Sequence, residues 1–259
     1  MTKLSSQVSE KIKFAAELFR QAKYPLALTG AGISTPSGIP DFRSEGTGLW
    51  AKEEAMEVAS LSSFRYNPTQ FYEWFRPLAN QIVNASPNPA HIALAQLGEG
   101  KHLNTIITQN IDVLHQKAGS KNVIEMHGSL RTLSCTQCFH QFDSTLFLKP
   151  FVEEGVIPHC TDCGAILKPD VILFGEQLPQ KAWLKAQKSA RKCDLMLIVG
   201  SSLEVLPVAG LPMQMLDRGG HLIIVNQIST YLNVRADIVF TQDAAVLLPA
   251  LAEKVLNYD

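Results

Sequence analysis

Two cysteine pairs, Cys135-x-x-Cys138 and Cys160-x-x-Cys163, carry the plainest chemistry in this sequence, with 21 residues between them, close to the spacing of a zinc ribbon. Four thiolates can close a tetrahedron if the stretch from Phe139 to His159 folds back, and Gly155 and Pro158 permit that. Such a site has no open position for water, so the expected metal is structural. His140 and His159 read as surface residues rather than substitute ligands, and Cys193, ahead of an apolar run, as a small core hydrophobe. A second group, Thr29-Gly30-Ala31-Gly32-Ile33-Ser34, follows the apolar run Tyr24 to Leu28. Its glycines put no side chain in the way of a phosphate approaching main-chain N–H groups. The usual dinucleotide fingerprint is incomplete, because Thr35 stands where a third glycine belongs and no acidic residue ends a second strand about 20 residues on. A ligand-free tight turn is therefore an equal alternative at this point. The stiff polar tail with Pro36, Pro40, Asp41 and Arg43 favours a ligand. The third group is Gln109-Asn110-Ile111-Asp112 with His127, whose imidazole, at an ordinary pKa of about 6.5, suits general-base work near neutrality.

Elements of one type are needed to bring these groups together. Val8, Ile12, Phe14, Ala15, Leu18 and Phe19 lie near helical spacing between Ser6 and Lys23. Apolar runs at Leu103–Thr108, Val123–Met126, Leu195–Val199, Leu222–Val225 and Asp237–Phe240 read as strands, and each ends in a polar cluster. Helical stretches fall between them, at Pro179–Lys192 and Val208–Arg218 among others, so the alternation predicts an α/β fold: a Rossmann-like parallel sheet with helices on both faces. Polar clusters past strand carboxyl ends are where such sheets bind ligands. Asn67-Pro68 and Asn88-Pro89 each signal a helix start; Pro77 is expected to kink or end the first helix and Gly98 to close the second. The aromatic cluster Phe71, Tyr72, Trp74 and Phe75 reads as core. The expected organisation is a large domain over 1–39, 85–131 and 170–259, a loop and helical insertion over 40–84, and a zinc-ribbon module over 132–169.

Composition excludes several classes. With 23 Lys and Arg against 24 Asp and Glu, the net charge of -1 provides no basic field for nucleic acid. The basic stretch Lys181, Lys185, Lys188, Arg191 and Lys192 reads as a solvated helix face. No apolar run approaches the roughly 18 residues of a membrane span, and no signal-peptide core follows the N-terminus, so a cytoplasmic protein is expected. Cysteines in metal-ligand spacing suit a reducing compartment.

The ordered set Gly30-Ala31-Gly32-Ile33-Ser34, Gly38-Ile39-Pro40-Asp41-Phe42-Arg43, Thr108 to Asp112, His127-Gly128, the two cysteine pairs, Phe174-Gly175-Glu176, Gly200-Ser201-Ser202-Leu203 and Val225-Asn226 resembles the sirtuins, NAD-dependent protein-lysine deacylases, over nearly the whole chain. Gly200-Ser201-Ser202 departs from the family's usual Gly-Thr-Ser but keeps the hydroxyl. The resemblance implies that NAD is a co-substrate, held by Gly30, Ala31, Gly32, Ile33, Ser34, Pro40, Asp41, Phe42, Arg43, Trp50, Gln109, Asn110, Ile111, Asp112, Gly200, Ser201, Ser202, Asn226 and Ala244. It makes His127 the general base, with Asn110 and Asp112 holding the nicotinamide carboxamide, and Cys135, Cys138, Cys160 and Cys163 the ligands of one structural zinc. In the reaction it implies, the acyl oxygen of a modified lysine attacks C1′ of the nicotinamide ribose, and free lysine and O-acyl-ADP-ribose result. The partners are then acylated lysine side chains of proteins, and a monomer is expected. The substrate is expected to lie extended between Phe174-Gly175-Glu176 and Leu203-Glu204-Val205. Where succinyl-preferring sirtuins carry a Tyr-x-x-Arg pair, this chain has Phe75 and Leu78, which predicts a neutral acyl group, acetyl first and longer chains next. A Rossmann redox enzyme and a zinc-ribbon binding module are the competing classes, and mono-ADP-ribosyl transfer is a variant of the first reading.

Overall fold

The computed structural model describes residues 5–41 and 53–257. Helix α1 (Ser6–Gln21) is capped by the Ser5 hydroxyl and leads into β1 (Pro25–Thr29), every residue of which is buried. Strands β2 (Thr105–Thr108), β3 (Val123–Glu125), β7 (Leu195–Val199), β8 (His221–Val225) and β9 (Ile238–Phe240) join it in one six-stranded sheet, ordered β3-β2-β1-β7-β8-β9. All its pairings are parallel. Relabelled within the sheet, that is the 3-2-1-4-5-6 order of Rossmann-like folds, with the chain reversing direction between β1 and β7.

Strand residues alternate between two apolar layers, as the period of two requires. Ala27, Leu197, Val199, Ile223 and Val225 join α1, α5 (Pro89–Glu99) and α10 (Ala244–Leu256) on one face. Leu26, Leu28, Met196, Ile198, Leu222 and Ile224 meet α8 (Gln180–Lys192) and α9 (Leu211–Leu216) on the other. The helix expected over Val208–Arg218 is thus shorter, a 3-10 turn at Val208–Gly210 followed by α9. Phe14, although in register with the apolar face of α1, is exposed.

Between β1 and β2 lie α2 (Glu53–Val58), α3 (Leu61–Tyr66) and α4 (Pro68–Asn84). Pro77 does not end α4, which runs seven residues further. The proline removes one helical hydrogen bond, but Phe71 and Phe75 before it and Leu78 and Ile82 after it are all buried in one cluster, and that packing carries the helix through. Gly98 likewise lies inside α5, which closes at Gly100.

A second, antiparallel sheet, β5-β4-β6, is built from β4 (Gly128–Cys135), β5 (Gln141–Asp143) and β6 (Leu167–Val171), with α7 (Thr145–Glu154) beside it. Its contact with the α4 region is aromatic: Tyr72 packs edge-on to Phe151 of α7 at 5.1 Å and its hydroxyl donates to the Leu167 carbonyl at 2.5 Å. Arg76 donates to the carbonyls of Val152 and Glu153, completing the C-terminus of α7. The expected aromatic core is therefore present, and it joins α4 to the small sheet.

Candidate active site and metal centre

The glycines after β1 and β7 interlock. A Cβ on Gly30 would lie 2.7 Å from the Gly200 carbonyl oxygen, and one on Gly200, at φ +61, only 2.3 Å from Ile33 N. Only glycine allows the two loops to close to this distance at the reversal point of the sheet. This corrects one expectation from the sequence, because the N–H groups of Gly30 and Gly32 are spent within the protein, on Val199 O at 3.0 Å and Gly200 O at 2.9 Å. The loop presents a ligand with close-packed backbone rather than a row of free donors. Phe42, Arg43 and Trp50 lie outside the described residues, while Ile39 is buried and Pro40 and Asp41 are half-buried.

Behind this loop is a buried polar network. Ser34 Oγ donates to Asp112 Oδ2 at 2.6 Å and accepts from Asn110 Nδ2 at 3.1 Å; the second Asn110 amide proton goes to Gly30 O at 3.2 Å. Asp112 Oδ1 accepts from Leu114 N at the start of the short helix α6 (Leu114–Lys117). Both protons of the Asn110 amide are thereby engaged. Its part is to tie the Gln109–Asp112 loop to the glycine loop, and the Asp112 carboxylate retains accepting capacity for a ligand amide.

Sequence reasoning missed two residues that shape this network. Asn88 was recognisable only as a helix cap, yet its amide also holds Ile33 O at 2.8 Å and Ser37 Oγ at 2.9 Å. His91 completes the cap box of α5 and approaches Ser34 Oγ at 3.5 Å. A histidine three residues after an Asn cap is the signal that could have pointed to it. Beside it His115 bonds Thr29 Oγ1 at 2.9 Å, with ring centroids 5.0 Å apart. Burial lowers both, His91 to about 4 and His115 to about 3.

His127 follows β3. Its Nδ1 lies 2.9 Å from the Gln109 carbonyl oxygen, which can only accept, so Nδ1 carries the proton and Nε2 keeps its lone pair. Burial pushes its pKa below the ordinary value, partly offset by that hydrogen bond. Gly128, at φ +72, is required next to it: a Cβ there would sit 2.0 Å from Asp170 O. At that point the chain leaves the parallel sheet for β4.

Gln109 also donates from Nε2 to Ser201 Oγ at 3.0 Å, joining the β2 and β7 loops. Asn226 turns inward on its own loop, to Ile228 O, and Ala244 opens α10 behind the Asp243 cap. Leu203 is buried at φ +58, and Glu204 and Val205 are exposed beyond it. Phe174 is exposed, but its main chain is already paired: N–H to Ala59 O at 3.0 Å and carbonyl to Leu61 N at 2.9 Å. A peptide edge over 174–176 is thereby narrowed to Gly175 and the Glu176 carbonyl. Phe75 and Leu78 are buried in the cluster that includes Ile39, Ile111 and Leu114, so apolar packing reaches the loop that carries Asp112.

The four cysteine sulfurs lie within 4.8 Å of one another, with Cys135–Cys163 at 3.4 Å and Cys138–Cys160 at 3.6 Å. A zinc thiolate tetrahedron with bonds of about 2.3 Å has edges of about 3.8 Å, so the donor set fits. The N–H groups of Gln137 and Cys138 both point at Cys135 Sγ, at 3.4 Å each, an arrangement that stabilises a thiolate. All five cysteines are free; Cys193 is buried, its thiol donates to Leu195 O, and burial pushes its pKa to about 12. His140 and His159 are exposed, and His140 pairs with Asp162 instead of the metal position.

Fold and site together define a class: a Rossmann-like domain with a closed glycine crossing, a base-form histidine at a strand end, and an appended four-cysteine centre. The profile described as "Sir2 family" matches residues 30–207, and the chain belongs to that family. It is 43% identical over 249 residues to the NAD-dependent protein deacylase 2 of Archaeoglobus fulgidus, covering 96% of this chain and 97% of the relative. To the NAD-dependent protein deacetylase of Saccharolobus solfataricus it is 44% identical over 243 residues, 94% and 96% of the two chains. Among solved structures, a Sir2 homologue in complex with NAD superposes with a TM-score of 0.85 at 37% identity, over 95% of this chain and 93% of the other. A Sir2 bound to a propionylated peptide superposes at 0.84 and 36%, over 94% and 98%.

Proposed function

We infer that this chain is an NAD-dependent protein-lysine deacylase that transfers the acyl group of a modified lysine to ADP-ribose. The observation that carries the reading is the His127 geometry: Nδ1 committed to the Gln109 carbonyl leaves Nε2 as the base at neutral pH. NAD supplies the ribose C1′ that the acyl oxygen attacks, with nicotinamide as leaving group. The Asp112 carboxylate, held by Ser34 and Leu114 N, accepts from the carboxamide of that leaving group. His127 Nε2 takes a proton from a hydroxyl of the same ribose, and Gln109 keeps the ring in this tautomer. Ser201, Ser202, Asn226 and Ala244 flank the adenosine half, with the close-packed Gly30–Gly32 turn beneath the pyrophosphate. Cys135, Cys138, Cys160 and Cys163 would hold one zinc ion in a closed, structural site.

The acyl pocket is neutral and apolar in this reading, supported by Phe75 and Leu78 where an acidic acyl group would need a cation. No helix among the described residues is long and apolar enough to cross a membrane, and a cytoplasmic site of action is supported by five free cysteines.

The test is mass spectrometry of purified protein with NAD and acetyl-lysine peptide, beside His127→Ala. Equal amounts of deacetylated peptide, nicotinamide and O-acetyl-ADP-ribose are expected, falling by about 100-fold or more in the variant, the usual worth of a general base. Preference for a succinyl-lysine peptide would overturn the neutral pocket. Nicotinamide release without deacylation would favour ADP-ribosyl transfer.

A further inference from the structure

The turn at residues 173–176 is tied to both smaller modules of the protein. Glu176 N–H donates to the Leu173 carbonyl at 3.0 Å with Gly175 at φ +85 in the third position, the hallmark of a type II turn. The Glu176 carboxylate reaches back to the Leu173 N–H at 2.7 Å, so one residue holds both main-chain groups of Leu173. The same oxygen accepts from Lys168 Nζ at 3.0 Å. Nζ also donates to Pro169 O at 3.1 Å and Val171 O at 2.8 Å, which uses all three ammonium protons. With 17% and 18% of their side chains exposed, the two charges are shielded enough for loss of one partner to strand the other.

Lys168 stands opposite Ser134 on β4, one position from Cys135. From the other side, Phe174 pairs with Ala59 and Leu61 of the helical insertion. The metal module and the insertion therefore meet at a turn where Gly175 has no main-chain partner among the described residues. We propose that Lys168 is a positioning residue for the acylated peptide: its ammonium locks the Glu176 carboxylate, and with it the Gly175 main chain, in the register on which an incoming extended peptide pairs. This rests on the deacylase reading. Among the described residues Lys168 bonds Pro169, Val171 and Glu176 and none of those proposed to bind NAD, so its effect is expected on the peptide side.

The experiment compares the parent with Lys168→Met, Lys168→Arg, Glu176→Gln and the Lys168→Met/Glu176→Gln double variant. Peptide KM, NAD KM and kcat are measured, together with anisotropy of a labelled acetyl-lysine peptide, which reads binding without turnover. Lys168→Met is expected to raise peptide KM and Kd about tenfold, with kcat and NAD KM within about twofold. Lys168→Arg is expected to return within about twofold of the parent, and the double variant to cost less than the sum of its parts. If Lys168→Met folds poorly, Lys168→Gln, which keeps a donor but not the charge, reads the same quantities. Unchanged peptide KM, or equal damage to NAD KM and kcat, would overturn the positioning role. A parent that deacylates no peptide would instead refute the deacylase reading, and unchanged anisotropy in Lys168→Met would still refute the inference independently.

Discussion

At the scale of single residues, the site's chemistry depends on which proton each group holds. His127 is fixed with Nδ1–H donated to Gln109 O, and burial lowers its pKa, so it is neutral and basic at pH 7. Activity is expected to rise with pH through a value below about 6.5 and to stay flat above it, because only the neutral ring accepts a proton. A kcat/KM profile from pH 5 to 8 checks this; an acid limb centred above 7 would contradict the environment described. Asn110 illustrates what residue type alone could not convey. The family resemblance marked it for the nicotinamide carboxamide; both its amide protons serve the protein, which leaves Oδ1 as the atom it can offer a ligand, and only three-dimensional neighbours decide where a donor points.

At the scale of elements, two junctions carry the architecture. The crossing of the β1 and β7 loops depends on Gly200, where an alanine would need φ +61 and a Cβ 2.3 Å from Ile33 N. Gly200→Ala should destabilise the fold by about 2 kcal/mol or more and lower NAD affinity, a change readable from urea unfolding and NAD titration. A variant with parent stability would show that the loops can separate without cost. The second junction is the four-sulfur centre at the ends of β4 and β6. Structural zinc in small peptides contributes about 10 to 16 kcal/mol, so Cys160→Ala should lose the metal, solubility and several degrees of melting temperature. Elemental analysis with thermal unfolding tests that, and a stable, active, zinc-free variant would overturn it. The cysteine spacing made this centre legible because ligand geometry is local, whereas the three strands around it lack a strong periodic signal and were not.

Across the whole molecule, the layers of the parallel sheet enclose a buried histidine pair. His91 and His115 are uncharged in the folded protein, lowered by burial to about 4 and about 3, and the His115 Nδ1 has no partner among the described residues. The unfolded chain takes up protons on both below about 6.5, while the folded chain refuses them, so it binds more protons when unfolded. Their contribution is therefore fully present above about pH 6.5 and is lost as pH falls toward 4 and below. The loss should be on the order of a few kcal/mol, visible as a falling urea midpoint from pH 7 to 4.5, with two ring resonances still neutral at pH 5. A midpoint flat over that window would contradict the buried, neutral pair.

The sequence by itself determined the secondary-structure alternation, the parallel sheet, the four-cysteine cluster and the family, because apolar period, cap residues and cysteine spacing are properties of neighbours along the chain. It did not determine that α4 would continue through Pro77, that Gly30 and Gly32 would spend their N–H groups on Val199 and Gly200, that Asn88 and His91 would reach a loop distant in sequence, or that Lys168 would close on Glu176 eight residues on. Those outcomes were decided by the tertiary structure. Hydrogen bonds and packing between segments tens of residues apart compete with local preference, and the winner is fixed only when the folded core sets which groups are near and which are dry.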